Sequence, residues 1–557
     1  MIASRRRGHR EGRAVPIAAS AIALGFAFAC AASAAVAAAT AAGPSSAARE
    51  LSDRKRVEGL FDEWRFDEGH AALAALAKAG PDAPDVLYLQ GYEQFLAGDY
   101  EAAVAKLKAA ALAAPKDADV QGLTTLAEGA RDAVKGHREE RSSHFVIRFP
   151  AEDEPVIPYA IDALEAAYAA LHADLGFAAS RPVRVDIYRS PYDLADVSSL
   201  SRDEVRTTGT IALCKWARLM VTTPRALMHG YPWLDTLSHE LVHYAVSSLS
   251  RDKAPVWLQE GLAKFEERRW RGPAGERLPP TMEHILAKGL AADKLISFDA
   301  MHPSMAKLPS SEATALAFAE VATAVGHLHA RGGIEALRAV IAQVRDGVDA
   351  REAVAAGAEA GTWAEFERGW KSFMAAQRYR TFPGMDPPTR KIRKAAAIAS
   401  KRRPSEDEDL GAALNHDPSE RLVTLGNMLL RRNRVRAAAV EYEKAARGRP
   451  PHWLIAVKLG RAYLLLGEPA RALAAVEPAR TLYAELPGPS LIAGQALLAL
   501  GDVPKAVVAL QTSMAINPFD PAAHCALAEA HGKLPAGAEP APAQREREAR
   551  LCQTLAE

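Results

Sequence analysis

"TLSHELVHYAV" (residues 236–246) places two histidines four positions apart, with a glutamate directly after the first. On a helix, residues four apart lie on one face. His239 and His243 can therefore turn their imidazoles toward one metal ion, while Glu240, one position on, reaches beside it toward a bound water. The alternative is an ordinary amphipathic helix that carries histidines. The next stretch weighs against it. "PVWLQEGLAKFEE" (255–267) opens on proline and reads as a second helix, with Glu260 in its first turn. Gly261 follows, where a missing side chain allows close approach to the first helix. Glu260 is then available as a third ligand. Two histidines and one carboxylate leave a fourth position for water, the arrangement of a catalytic zinc rather than a closed structural one.

The segments around this pair of helices predict a mixed α/β unit from about residue 142 to 380. "HFVIRF" (144–149) alternates like a strand, "VIPYAIDALEAAYAALHADLGF" (156–177) has helical apolar spacing ending at a glycine, and "PVRVDIY" (182–188) alternates again. "GTIAL" (209–213) and "RLMVTT" (218–223) read as a hairpin or edge strand just ahead of the histidine helix.

Outside that unit a repeat is visible. Gly426, Gly460 and Gly494 recur every 34 residues, and Ala438, Ala472 and Ala506 each follow twelve positions later. Small residues at those positions suit two antiparallel helices in close approach, and Pro450 and Pro518 fall in the turn that ends the unit. The same phase appears earlier in Gly91, Ala103, Ala110 and Pro115, after a degenerate unit around residues 60–81. The pattern resembles the tetratricopeptide repeat. The chain is thus expected to be mostly α with one α+β domain, between helical arrays at 50–135 and 419–557. Residues 381–418, which pack proline, a basic run and an acidic run without helical periodicity, read as linker.

Length and composition agree with this division. A chain of 557 residues exceeds one core, and 49% hydrophobic with 25% charged residues is ordinary for folded protein. A formal net charge of +1 gives no overall field for nucleic acid, which is rejected as a partner. Residues 1–45 hold an arginine-rich head and a long alanine-dominated apolar run. They read as an export signal, with an uncleaved membrane anchor as the alternative. Export means a periplasmic or secreted protein. Beyond Cys30, the cysteines are Cys214, Cys525 and Cys552, with no CxxC pair. A disulfide framework is excluded on that count, and a Cys525–Cys552 bridge, though permitted, ranks below isolated buried thiols.

"SHELVHY" followed by "PVWLQEGLA" resembles the gluzincin metallopeptidases, specifically the peptidase MA-like families, and the resemblance extends loosely over residues 142–380. It implies a thermolysin-like zincin fold in which His239, His243 and Glu260 bind one catalytic zinc and Glu240 is the general base of an endopeptidase acting on protein or peptide substrates. The sequence also departs from that family. Many gluzincins place an acidic residue four positions after the ligand glutamate to orient a histidine; here that position is Lys264, so the carboxylate must come from elsewhere, with Asp235 and Glu266 as candidates. A tyrosine that often stabilises the oxyanion is replaced by Phe318, leaving Tyr231, His302, His327 and His329 to be weighed. Trp233, Trp257 and Leu258 are expected to pack the helices around the site. Two functions follow: an exported zinc peptidase whose arrays recruit protein substrates or partners, or an envelope scaffold built on the arrays with a weak or inactive peptidase-like domain.

Overall fold

The computed structural model describes residues 46–385 apart from 276, 303, 306 and 307, then 391–393, 410–414, 417–534 and 542–556. The expected export signal at 1–45 lies outside them, as does most of the expected linker. Among the described residues no helix is long and apolar enough to cross a membrane.

The described residues begin with five helices: α1 (Ser46–Asp62), α2 (Phe66–Ala79), α3 (Pro84–Ala97), α4 (Tyr100–Ala113) and α5 (Ala118–Ala133). The carboxylates of Asp99 and Asp117 accept from backbone N–H groups of the first turns of α4 and α5, which fixes where those helices begin. After the central domain the described residues hold the one-turn helix Leu410–Ala413 and eight longer helices: Ser419–Arg431, Val435–Ala446, Trp453–Leu465, Pro469–Leu482, Pro487–Ala499, Val503–Ile516, Pro521–Lys533 and Pro542–Thr554.

The phased glycines explain how these helices pair. A Cβ on Gly91 would lie 2.5 Å from Leu107, on Gly426 2.3 Å from Tyr442, on Gly460 2.7 Å from Val476, and on Gly494 2.6 Å from Leu510. The opposing residue stands sixteen positions on each time, on the second helix of a hairpin. Ala103, Ala438, Ala472 and Ala506 are fully buried in the same seams. Small residues at these points let the two backbones approach, which is why they recur in phase.

Between the helical regions lies one five-stranded sheet: β1 (His137–Arg141), β2 (Phe145–Pro150), β3 (Val183–Tyr188), β4 (Ala212–Lys215) and β5 (Arg218–Thr222), in the order β1-β2-β3-β5-β4. β2, β3 and β5 run parallel, and β1 and β4 are antiparallel edges. β1 was not expected from the sequence. Its residues, HREER, are mostly exposed and carry no apolar alternation; it forms because β2 offers a backbone edge.

The domain's helices are α6 (Ile157–Leu175), which crosses from β2 to β3, the short α7 (Pro191–Asp196) and α8 (Arg202–Thr208), α9 (Trp233–Ser250), α10 (Val256–Glu266), α11 (Pro280–Ala291), α12 (Ser311–Arg345), α13 (Ala350–Gly357) and α14 (Trp363–Ala376). α12 is broken at Gly333, where φ is 66°.

Both helical regions grip this domain. The turn joining β4 to β5 puts Trp216 and Ala217 at φ 53° and 51°, a left-handed conformation that costs an L-residue about 1 kcal/mol or more. Packing holds it there: Trp216 meets Phe95 of α3 edge-on at 5.3 Å, and the buried guanidinium of Arg218 lies over Phe95 at 4.5 Å. At the other end, Glu548 of the last helix accepts from Tyr159 of α6 at 2.5 Å and faces His524 at 2.7 Å. Cys525 and Cys552 form a disulfide that clamps that last helix, where the sequence favoured separate thiols. Helix pairing brings the two sulfurs together, which spacing along the chain does not reveal. Of the expected linker, Ile392 pairs with Leu227 as an isolated antiparallel bridge, so residues 391–393 are docked on the domain; 386–390 and 394–409 lie outside the described residues.

Candidate metal centre

α9 is buried from Trp233 through Ser247 because α6, α10, α12 and the β4–β5 edge surround it. That position explains its composition. A helix enclosed on all sides has no solvent face, so its polar residues must find partners inside: Asp235 takes Trp270 and Arg271, Thr236 bonds the Pro232 carbonyl, and His239, Glu240 and His243 are left to the interior around one another.

His239 and Glu240 are fully buried, His243 is 6% exposed, and Glu260 on α10 is fully buried. Nε2 of His239 and Nε2 of His243 are 3.2 Å apart, and Oε2 of Glu260 lies 3.4 Å from each. Three donors spaced this way match one tetrahedral ion with bonds of about 2.0–2.1 Å. Neither oxygen of Glu260 has a hydrogen-bond partner, and neither has Glu240. Buried carboxylates without partners are costly, so the donor set fits a cation at its centre.

Electrostatics point the same way. Burial pulls the His239 imidazole down, but Glu260 and Glu267 outweigh it and hold its pKa up at about 9. Burial pushes Glu260 up, yet His243 and His239 keep it below the usual carboxylate range. Glu240 is raised by burial, partly offset by the two histidines.

The supporting residues differ from expectation. Nδ1 of His239 faces Oε2 of Glu267 at 3.1 Å, and the same oxygen accepts from Lys264 Nζ at 2.9 Å. Neither expected carboxylate plays this part. Asp235 accepts from Trp270 Nε1 and Arg271, and Glu266 is buried with no hydrogen-bond partner, its pKa pushed by burial to about 8. Glu267 stands two helical turns after Glu260, on the same face, which is the signal that could have found it. Behind His243 the partner is neutral: Nδ1 lies 3.4 Å from Gln259 Oε1, whose amide donates to Ser247, which donates to Asp252.

Glu260 opens the second turn of α10 rather than lying in its first. Gly261 serves a different helix than expected. A Cβ there would meet Val325 at 2.7 Å and the Val321 carbonyl at 2.8 Å, both on α12, so the missing side chain seats α10 on α12 and not on α9. Trp233, Trp257 and Leu258 are buried core, as expected.

The oxyanion candidates each have other contacts or face solvent. Tyr231 gives its hydroxyl to the Thr222 carbonyl, His327 packs between Phe366 and Phe373, His329 stands 5.0 Å from the Phe265 ring, and His302 is exposed. Phe318 is core.

Residues 163–376 match the Peptidase MA superfamily. The matched stretch runs from within α6 to the end of α14 and holds His239, Glu240, His243 and Glu260 together. It supports a gluzincin-like peptidase domain in this part of the chain. No curated protein matches the chain.

Proposed function

We propose that this protein is an exported zinc-dependent endopeptidase whose flanking helical arrays, of tetratricopeptide type, recruit protein substrates or partners. The observation that carries this reading is the buried triangle of His239, His243 and Glu260 donors, 3.2–3.4 Å on a side, with Glu240 beside it and its carboxylate unengaged. A zinc ion in such a site supplies Lewis acidity and a water of lowered pKa. His239, His243 and Glu260 would hold it. Glu240 accepts the proton of the attacking water and returns it to the leaving amine. β4 is an edge strand whose first residues are enclosed and whose Cys214–Lys215 end is partly open, so Cys214 is the position that can offer a main-chain donor to an extended peptide. The Cys525–Cys552 disulfide supports export, since such bonds persist in oxidising compartments.

The helical hairpins on both sides of the domain favour the second reading, a scaffold of the cell envelope with a weak or inactive peptidase-like domain. Turnover of a casein-like substrate by wild type and by Glu240→Gln decides. Chelator-sensitive cleavage by wild type, lost in a Glu240→Gln protein that keeps its metal, supports the peptidase. Equal cleavage by both removes Glu240 as the base, and cleavage by neither favours the scaffold.

A further inference from the structure

Among the described residues, a lysine ammonium stands directly on the carboxylate behind the candidate centre. Lys264 follows Glu260 by four residues on α10, its side chain is 7% exposed, and its ammonium donates to Oε2 of Glu267. That same oxygen faces Nδ1 of His239. Glu267 therefore shares one oxygen between an imidazole that would hold the metal and an ammonium that competes for its charge. A carboxylate behind a ligand imidazole makes the ring a stronger donor by drawing on its Nδ1 proton. An ammonium on the same oxygen withdraws part of that effect. It also places a positive charge next to a site for a divalent cation, where burial weakens screening.

We infer that Lys264 limits how tightly the centre holds its metal, and that Glu267 is the positioning residue whose grip Lys264 restrains. The inference rests on the metal reading proposed above. A different role for Lys264 gives the opposite sign: if it were only a strut holding Glu267 in place, its neutral replacement would free Glu267 and weaken the metal. Asp235 does not substitute for Glu267, because its carboxylate is taken by Trp270 and Arg271.

The test is the zinc dissociation constant of the full-length chain, measured by competition with a chromogenic chelator at fixed pH and ionic strength. Lys264→Met should bind zinc tighter than wild type, by about threefold or more. Lys264→Arg, which keeps the charge, should stay within about twofold. Glu267→Gln should bind about 10- to 100-fold more weakly. If Lys264→Met does not fold, Lys264→Gln is read in its place with the same expected sign. Weaker or unchanged binding by a folded neutral variant overturns the inference while leaving the metal reading intact. A wild-type chain that takes up no zinc overturns the metal reading itself and the inference with it.

Discussion

The hydroxyl of Tyr100 donates to Oδ2 of Asp186 at 2.5 Å and accepts from the guanidinium of Arg218, joining the N-terminal helices to two central strands through one buried oxygen. Asp186 and Arg218 are both fully buried, and Nε and Nη2 of Arg218 have no hydrogen-bond partner. Little spare satisfaction exists there. Tyr100→Phe should therefore cost about 1–3 kcal/mol by leaving two buried charges short of a partner, with helix content kept. Thermal unfolding followed by circular dichroism measures it. An unchanged midpoint would mean that the contact carries no net stability.

A second prediction concerns Glu320 on α12. Its Oε1 accepts from the Ile296 N–H at 2.9 Å, its other oxygen has no partner, and burial pushes its pKa from 4.5 to about 8. A folded-state pKa above the unfolded value means that the folded chain binds the proton more tightly. The contribution is fully present below about pH 4.5 and is lost as pH rises through about 8. Glu320→Gln, neutral at every pH, should remove a decline on the order of 3 kcal/mol. Urea midpoints at pH 5 and pH 8.5 give the comparison: the mutant should gain on wild type at the higher pH. A constant difference between the two proteins contradicts the assignment.

Much of the centre was legible because its geometry is local. His239 and His243 share a helix face by spacing alone, and a carboxylate soon after a proline-started helix is a short-range signal. Glu267 was missed because its use depends on how α10 is rotated against α9, and Lys264 stands where the orienting acid is usually sought. Gly261 was assigned to the wrong neighbour for the same reason: its small size is visible in sequence, but the helix it faces is not. β1 was invisible because a charged edge strand needs no apolar alternation, and the Cys525–Cys552 bridge depends on two helices meeting. Phased small residues at Gly91, Gly426, Gly460 and Gly494 were readable because helix pairing repeats with the chain.

The edge strand gives a third prediction. The Thr222 N–H donates to the Ile211 carbonyl at 2.8 Å, and Leu213 stands opposite Met220, so residues 211 and 213 point their backbone groups at β5. Alternation turns the N–H of Ala212 and the half-buried Cys214 outward. Cys214→Pro removes an outward donor and no ladder bond, whereas Leu213→Pro breaks the ladder. Cys214→Pro should keep its fold and zinc and cleave peptide about fivefold more slowly, the effect of one lost hydrogen bond. Parental cleavage by a folded, zinc-loaded Cys214→Pro protein would exclude this edge as the substrate platform.

The most direct measurement is the metal content of the purified full-length chain, determined by mass spectrometry of the elements, beside His243→Ala and Glu260→Ala. Each variant leaves one donor fewer in a triangle whose members lie 3.2–3.4 Å apart. The wild-type chain should carry close to one zinc, and each variant should fall to about a tenth of that or less with its helix content unchanged. Full zinc occupancy in Glu260→Ala, or none in the wild-type chain after incubation with zinc, would contradict a metal centre built from these three residues.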